Sequence, residues 1–457
     1  MVAHWLDRRT LTTYPKGWYR FGLLCVAVLS SVIAAYEGQI APVLGPILKQ
    51  VHMPLVSYGY FAGGTVIIGA ISAFLISPLA DRYGRVAIII PGILLTTLCI
   101  FAMATVVTSV SSLIVVRTLL AIVEGGQAAA AYGIVRDVSP RLSRAASFGF
   151  LTFAPVGTNW FASFIAGYTL PMFHGDWHSQ FWIMAILSLV GLIVVTVALR
   201  DISPTLRSQV IVHEDQVRAT GKADLPEYVD GLRQAARYGR VWALSCGVFL
   251  FLAVYFTVQT YGPIFLAGAF HYSTAKAAAI NSYFWLANVP VLVLIGWLSD
   301  RIGNRKLVSL AGAVLLAIFL PYFISLIGHP VPDGTMIVYT SLLGTLLGIG
   351  YGPWTALFSE TLEDIRPALQ ASGWALEGLI IRVYAAIAAV VTLIVATTPG
   401  LGWKAWFWWC FAAVLMYMVL LAMVPGRWFA FGRDKLGAAA APAGATAEAA
   451  EMAGATQ

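Results

Sequence analysis

The chain has 457 residues, of which 59% are hydrophobic and only 11% charged, a balance that cannot coat a soluble protein of this length. The formal net charge of +7 suggests a nucleic-acid partner only until its placement along the chain is read, and that placement excludes one. Four cysteines (Cys25, Cys99, Cys246 and Cys410) stand singly in apolar runs, and no histidine lies inside one, which excludes a disulfide framework, a metal site or hydrolytic chemistry.

A membrane-spanning helix needs about 20 apolar residues. Runs of that kind fall at 19–45, 57–80, 87–107, 112–135, 145–170 and 180–199, and again at 241–268, 277–299, 307–327, 335–359, 369–397 and 403–425. With both termini cytoplasmic, only five of the 28 Lys and Arg residues fall elsewhere than in cytoplasmic segments: Lys49, Lys276 and Lys404 outside, Arg117 and Arg382 within spans. A shift by one span would invert this asymmetry, so the charge is a positive-inside signature. The predicted organisation is a cytoplasmic N-terminus at 1–18, a six-helix bundle at 19–200, a cytoplasmic linker at 201–240, a second bundle at 241–426 and a disordered tail at 427–457. The first apolar run is too long for a cleavable signal peptide and lacks a small-residue cleavage site, so it stays as span 1. The fold class is an all-α polytopic membrane protein with 12 helices in two pseudo-symmetric bundles, placed in the inner (plasma) membrane.

In chain order, the first polar intrusion is Tyr36-Glu37 near the outer end of span 1, with Gln39 beyond it. After span 2 comes SPLADRYGRVA, in which Asp81, Arg82 and Arg85 can form ion pairs and Gly84 allows a tight turn. Span 4 contains RTLLAIVEGGQ: Arg117 and Glu124 are two turns apart on one face, Gln127 follows one turn on, and Gly125 and Gly126 permit close helix approach. A charge at mid-span costs ~2.5–3.5 kcal/mol, so Glu37, Arg117, Glu124, Glu377 and Arg382 together would cost on the order of 15 kcal/mol if unpaired. They must face protein or a wet cavity. Glu37 and Arg117 are expected to meet, leaving Glu124 near the midplane to load and release a proton. In the alternative, Arg117 and Glu124 simply hold helices together.

Span 5 carries Asn159, span 7 carries Tyr255 and Gln259, and span 8 carries Asn281, Trp285 and Asn288. These fit a solute path, or equally interhelical hydrogen bonding. After span 8 the chain reads GWLSDRIGNRK, repeating Asp-Arg-x-Gly at Asp300, Arg301 and Gly303. The same loop at the same place in each half indicates a duplicated six-helix unit, a transporter signature. In span 11, ASGWALEGLIIRVYAAI, Arg382 sits near mid-membrane with Glu377 closer to the cytoplasm. The two are ~140° apart on the helix. Arg382 is expected to face the cavity and receive a substrate carboxylate, or else to bridge to a neighbouring helix. Glu377 is its partner, a gate residue or a second proton site. Trp354 and Trp374 could line the path.

The two loops resemble the G-x-x-x-D-R-x-G-R signature of the major facilitator superfamily, with Ser77 where glycine is usual in the first copy, and the resemblance covers about residues 18–426. It implies alternating access between two bundles, with the loops as cytoplasmic latches. Span 4 is similar to that of the anion:cation symporter family, in which an acid in helix 1 and a glutamate in helix 4 couple protons; Glu37 and Glu124 match those places, while Gly38 replaces the arginine that many members carry. The stretch YGPWTALFSETLEDIRP resembles sugar and metabolite:proton porters in Gly352, Pro353, Ser359, Glu360 and Arg366, and implies a gating role there. The function expected is proton-coupled uptake of a small organic anion by a monomer, without cofactor, metal or enzymatic activity. A proton-driven exporter is the alternative, although span 5 lacks the Gly-Pro-x-x-Gly-Gly element such antiporters often carry; a facilitative or exchange carrier would share the fold.

Overall fold

In lipid a backbone must satisfy its own hydrogen bonds, so each apolar run closes into a helix. The computed structural model describes residues 10–37, 40–138, 144–203, 206, 233–365 and 370–424. In the first half lie α1 (Gly17–Glu37), α2 (Leu44–Val51), α3 (Leu55–Tyr83), α4 (Val86–Thr105), α5 (Val110–Val138), α6 (Arg144–Thr169) and α7 (His178–Ala198). The second half holds α8 (Gly239–Phe251), α9 (Ala253–Phe270), α10 (Thr274–Ile302), α11 (Arg305–Leu326), α12 (Asp333–Ile365), α13 (Gln370–Thr397) and α14 (Gly402–Met423). Among the described residues, eleven helical stretches are long and apolar enough to cross a membrane.

Two spans depart from the continuous helices the sequence suggested. Span 1 is not helical in one piece: α1 is described to Glu37, and a 3-10 turn at Ala41–Val43 that contains Pro42 leads into α2. Proline lacks the N–H a continuing helix would need. Span 7 is split at Leu252, whose ψ of 3° leaves the helical range, so α8 and α9 form one broken crossing. By contrast, Pro91, Pro263, Pro290 and Pro353 lie inside α4, α9, α10 and α12 without ending them, as helices packed among others in a membrane tolerate.

Both duplicated loops end their helices at a glycine with positive φ. Gly84 after α3 and Gly303 after α10 have φ of 93° and 71°, a region open to glycine and costly for other residues. Asn304 then caps α11 by accepting from the Leu307 N–H at 3.0 Å. The chain enters and leaves the bundle on one face: strand β1 (Thr10–Leu11) pairs in parallel with β2 (Asp201–Ile202) at the end of α7. We call this the termini face and the opposite one the far face. Leu94 and Leu98 on α4, Ile186 and Val190 on α7, Ile318 on α11 and Val419 on α14 are exposed, forming an apolar belt suited to acyl chains.

The two bundles meet in their far-face halves. A methyl built at Gly63 of α3 would lie 2.8 Å from the Ala386 carbonyl of α13, and one at Gly59 3.0 Å from that of Ala389. On the other side of the axis, Asn281 Nδ2 of α10 donates to Ser163 Oγ of α6 at 3.0 Å, and a methyl at Gly167 would lie 2.6 Å from Ala279 Cα. Small residues thus let the backbones touch.

Candidate functional site

Between the bundles, level with the Gly59 and Gly63 contacts, lies a cavity of about 300 Å³. It is bordered from the first half by Ala41 of the 3-10 turn, Tyr58, Phe61 and Thr65 of α3, and Arg117 of α5. Phe256, Gln259, Thr260 and Tyr261 of α9, with Ala385, Ala389 and Thr392 of α13, close it from the second half. The local reason is helical spacing: Tyr58, Phe61 and Thr65 share one face of α3, and Ala385, Ala389 and Thr392 share one face of α13. Among the described lining residues Arg117 is the one charged side chain. Its guanidinium donates to the Tyr58 hydroxyl, and the neighbouring Tyr261 hydroxyl donates to the Ala389 carbonyl at 2.7 Å.

Glu124 stands two turns further along α5 on the face that carries Arg117. Its Oε1 is buried without a hydrogen-bond partner among the described residues, and Arg117 lies within electrostatic reach. Arg382 is exposed and lies on the cavity-lining face of α13, one turn toward the termini face from Ala385. Counting from the far-face ends of α5 and α13, Glu124 and Arg382 sit at similar depths of about 21 and 22 Å. Glu377 is buried within electrostatic reach of Arg382.

Beside Phe256 the lining continues as an aromatic layer. Phe256 packs on Tyr384 of α13 at 5.9 Å, and Tyr255 meets Trp285 of α10 edge-on at 5.1 Å. Trp285 Nε1, Asn288 Oδ1 and the Tyr384 hydroxyl are buried without partners among the described residues. Buried polar atoms are ordinarily satisfied, so such a group marks a place for water or a solute.

Other predicted residues lie elsewhere. Gln127 turns away from the cavity, donating to Thr96 Oγ1 of α4 at 2.6 Å. Asn281 closes the far face, Asn288 donates to the Gly344 carbonyl at 2.8 Å, and Asn159 to its own helix at Pro155. Trp374 packs against Phe358 and Trp354 of α12, with centroids at 4.9 and 6.3 Å. The expected meeting of Glu37 with Arg117 falls outside the described residues, as do the side chains of Tyr36, Asp81, Arg82 and Asp300 and the whole of Gly38, Gln39 and Arg366. Tyr58, Phe61, Thr65, Thr260, Tyr261 and Thr392 were not singled out by sequence. In an apolar run nothing separates a cavity-facing aromatic or threonine from a lipid-facing one.

The duplicated loops are tied to the segment that closes their own half, β2 in the first and the end of α14 in the second. The Arg85 backbone N–H donates to Asp201 Oδ2 at 2.7 Å, while its buried side chain pairs with Asp137 of α5. Lys306 Nζ donates to the Val424 and Ala422 carbonyls at 2.6 and 3.1 Å, satisfying the end of α14. Arg305 Nε meets Glu360 Oε1 of α12 at 3.0 Å, and Arg301 stacks over Trp297 at 3.9 Å.

Two six-helix bundles around a central cavity, with a duplicated loop on one face, define a secondary transporter of alternating-access architecture. The chain belongs to the Major Facilitator Superfamily, whose family model matches residues 22–376. It is therefore a multi-span membrane transporter for small molecules and not an enzyme. It is 28% identical over 293 residues to the probable nitrate/nitrite transporter NarK2 of Mycobacterium tuberculosis, covering 63% of this chain and 67% of that one. The niacin transporter NiaP of Acinetobacter baylyi is 23% identical over 386 residues, covering 79% of this chain and 84% of that protein. The crystal structure of a D-xylose-proton symporter superposes with a TM-score of 0.68 at 16% identity, over 89% of this chain and 98% of that one.

Proposed function

We propose that this chain is a proton-coupled symporter importing a small organic anion across the plasma membrane, with both termini cytoplasmic. The observation that carries this reading is the joint presence of Arg117 on the cavity wall and, two turns along the same helix face, a buried Glu124 carboxyl oxygen without a hydrogen bond among the described residues. An arginine between two bundles suits a carboxylate, and an intramembrane acid at mid-depth suits a proton. With the termini inside, the joined far face is the outer one, so the molecule is inward-facing and the anion leaves past Arg382. Relatives named for nitrate or nitrite and for niacin support a small solute.

Glu37 shares the proton role in this reading and Glu377 supplies a second acid, while the loops around Asp81 and Asp300 latch the cytoplasmic side. In proteoliposomes with an imposed pH gradient, acid outside, the wild type should accumulate a carboxylate above equilibrium. Glu124→Gln should lose that accumulation yet keep counterflow exchange. Full gradient-driven accumulation by Glu124→Gln would overturn the coupling assignment.

A further inference from the structure

The walls of the central cavity specify the shape of the anion. Rings border it from both bundles: Tyr58 and Phe61 on α3, Phe256 and Tyr261 on α9. Against four aromatic side chains stand one cation, Arg117, and a few neutral polar groups, among which the Gln259 amide makes no hydrogen bond within the described residues. A polyhydroxylated acid needs a hydrogen-bond partner for each hydroxyl, and a wall of rings and alanines denies most of them. The volume of about 300 Å³ equals some ten water volumes. A four-atom inorganic oxyanion would fill only a fraction of that space, leaving the rings against water or void.

We propose that the carried anion is a planar aromatic monocarboxylate, its carboxylate on Arg117 and its ring held between Tyr58 and Phe61 of one bundle and Phe256 and Tyr261 of the other. This rests on the organic-anion reading above and narrows it. Because each bundle supplies one pair of rings, the solute's two faces would be gripped by different bundles, so loading it favours a closed state over either open one. Ring-to-ring contacts of this kind add to simple area burial. The Gln259 amide can donate to a ring substituent or to the second carboxylate oxygen.

The test uses the purified full-length protein in detergent, with benzoate, cyclohexanecarboxylate, gluconate and nitrate as probes in thermal-shift titrations, followed by uptake competition in proteoliposomes. Benzoate should bind about tenfold more tightly than cyclohexanecarboxylate, which has the same charge and similar size but no flat ring. Phe256→Leu keeps the apolar volume, and in it the ratio between those two ligands should fall toward one. Gluconate and nitrate should stabilise little. Equal binding of benzoate and cyclohexanecarboxylate, or a preference for gluconate, overturns the aromatic assignment while leaving the organic-anion reading standing. Stabilisation and transport of nitrate alone, or of none of the four probes, overturns both.

Discussion

At the scale of single residues, Arg117 and Glu124 occupy different surroundings although they share one helix face. Arg117 faces the space between the bundles and is held by the Tyr58 hydroxyl, whereas Glu124 lies deeper, with a carboxyl oxygen that no described residue satisfies. A charge-assisted hydrogen bond contributes about 1.5–3 kcal/mol, so Arg117→Ala should raise the KM for the carried anion roughly ten- to a hundredfold. Arg117→Lys should recover part of that loss, because the ammonium keeps the charge but not the planar fork. Concentration-dependent uptake measures both. Arg382 stands one turn from the cavity on its exit side, and Arg382→Ala should slow exchange more than it weakens binding; single-turnover release separates the two. Both arginines and Glu124 were legible as outliers in apolar runs. The rings beside them were not: Phe256 and Tyr58 look like any of the chain's 24 phenylalanines and 19 tyrosines.

At the scale of elements, α3 and α13 meet through Gly59 and Gly63, which bring their backbone within contact of the Ala389 and Ala386 carbonyls. Overpacking such a seam costs about 1–3 kcal/mol, enough to shift a two-state population about tenfold. Gly63→Leu should therefore hold the far face apart. Labelling of a single cysteine on the cavity wall by a membrane-impermeant thiol reagent from outside should rise accordingly, with expression and insertion unchanged. The 3-10 turn at Ala41–Val43 and the break at Leu252 belong to this scale as well. Hydropathy sees only that residues 19–45 and 241–268 are apolar enough to span. Whether such a run stays one helix depends on what its neighbours offer the freed backbone groups. The interrupted segments are those that bring the Ala41–Val43 turn and α9 to the cavity.

At the scale of the whole molecule, the far-face seam must part and reform in every cycle if the two bundles rock. The hydrogen bond from Asn281 to Ser163 spans that seam at 3.0 Å, which places a pair for cross-linking. With the four native cysteines replaced, S163C together with N281C should form a disulfide under oxidant, stop net transport, and regain it on reduction. Transport that continues with the cross-link in place would show that this seam stays shut during turnover. The duplicated loops at the opposite face are bound within their own bundles: Arg85 to Asp137 and Asp201, and Lys306 to the end of α14.

The sequence alone determined the membrane class, the six-plus-six organisation and the duplicated loop, because these depend on local properties. Twenty apolar residues make a span wherever they occur, and a glycine at positive φ ends a helix whatever surrounds it. It also marked Glu124, Arg117 and Arg382, since a charge in an apolar run is anomalous without any knowledge of its neighbours. Only the tertiary structure decided which of them borders the cavity, which rings stand opposite, and that Gln127 and Trp374 pack within their own bundles. The physical reason is that the environment of a helix face is set by what lies across from it. Lipid, a second helix and a wet chamber accept nearly the same apolar side chains, so the distinction is carried by contacts between segments far apart in the chain.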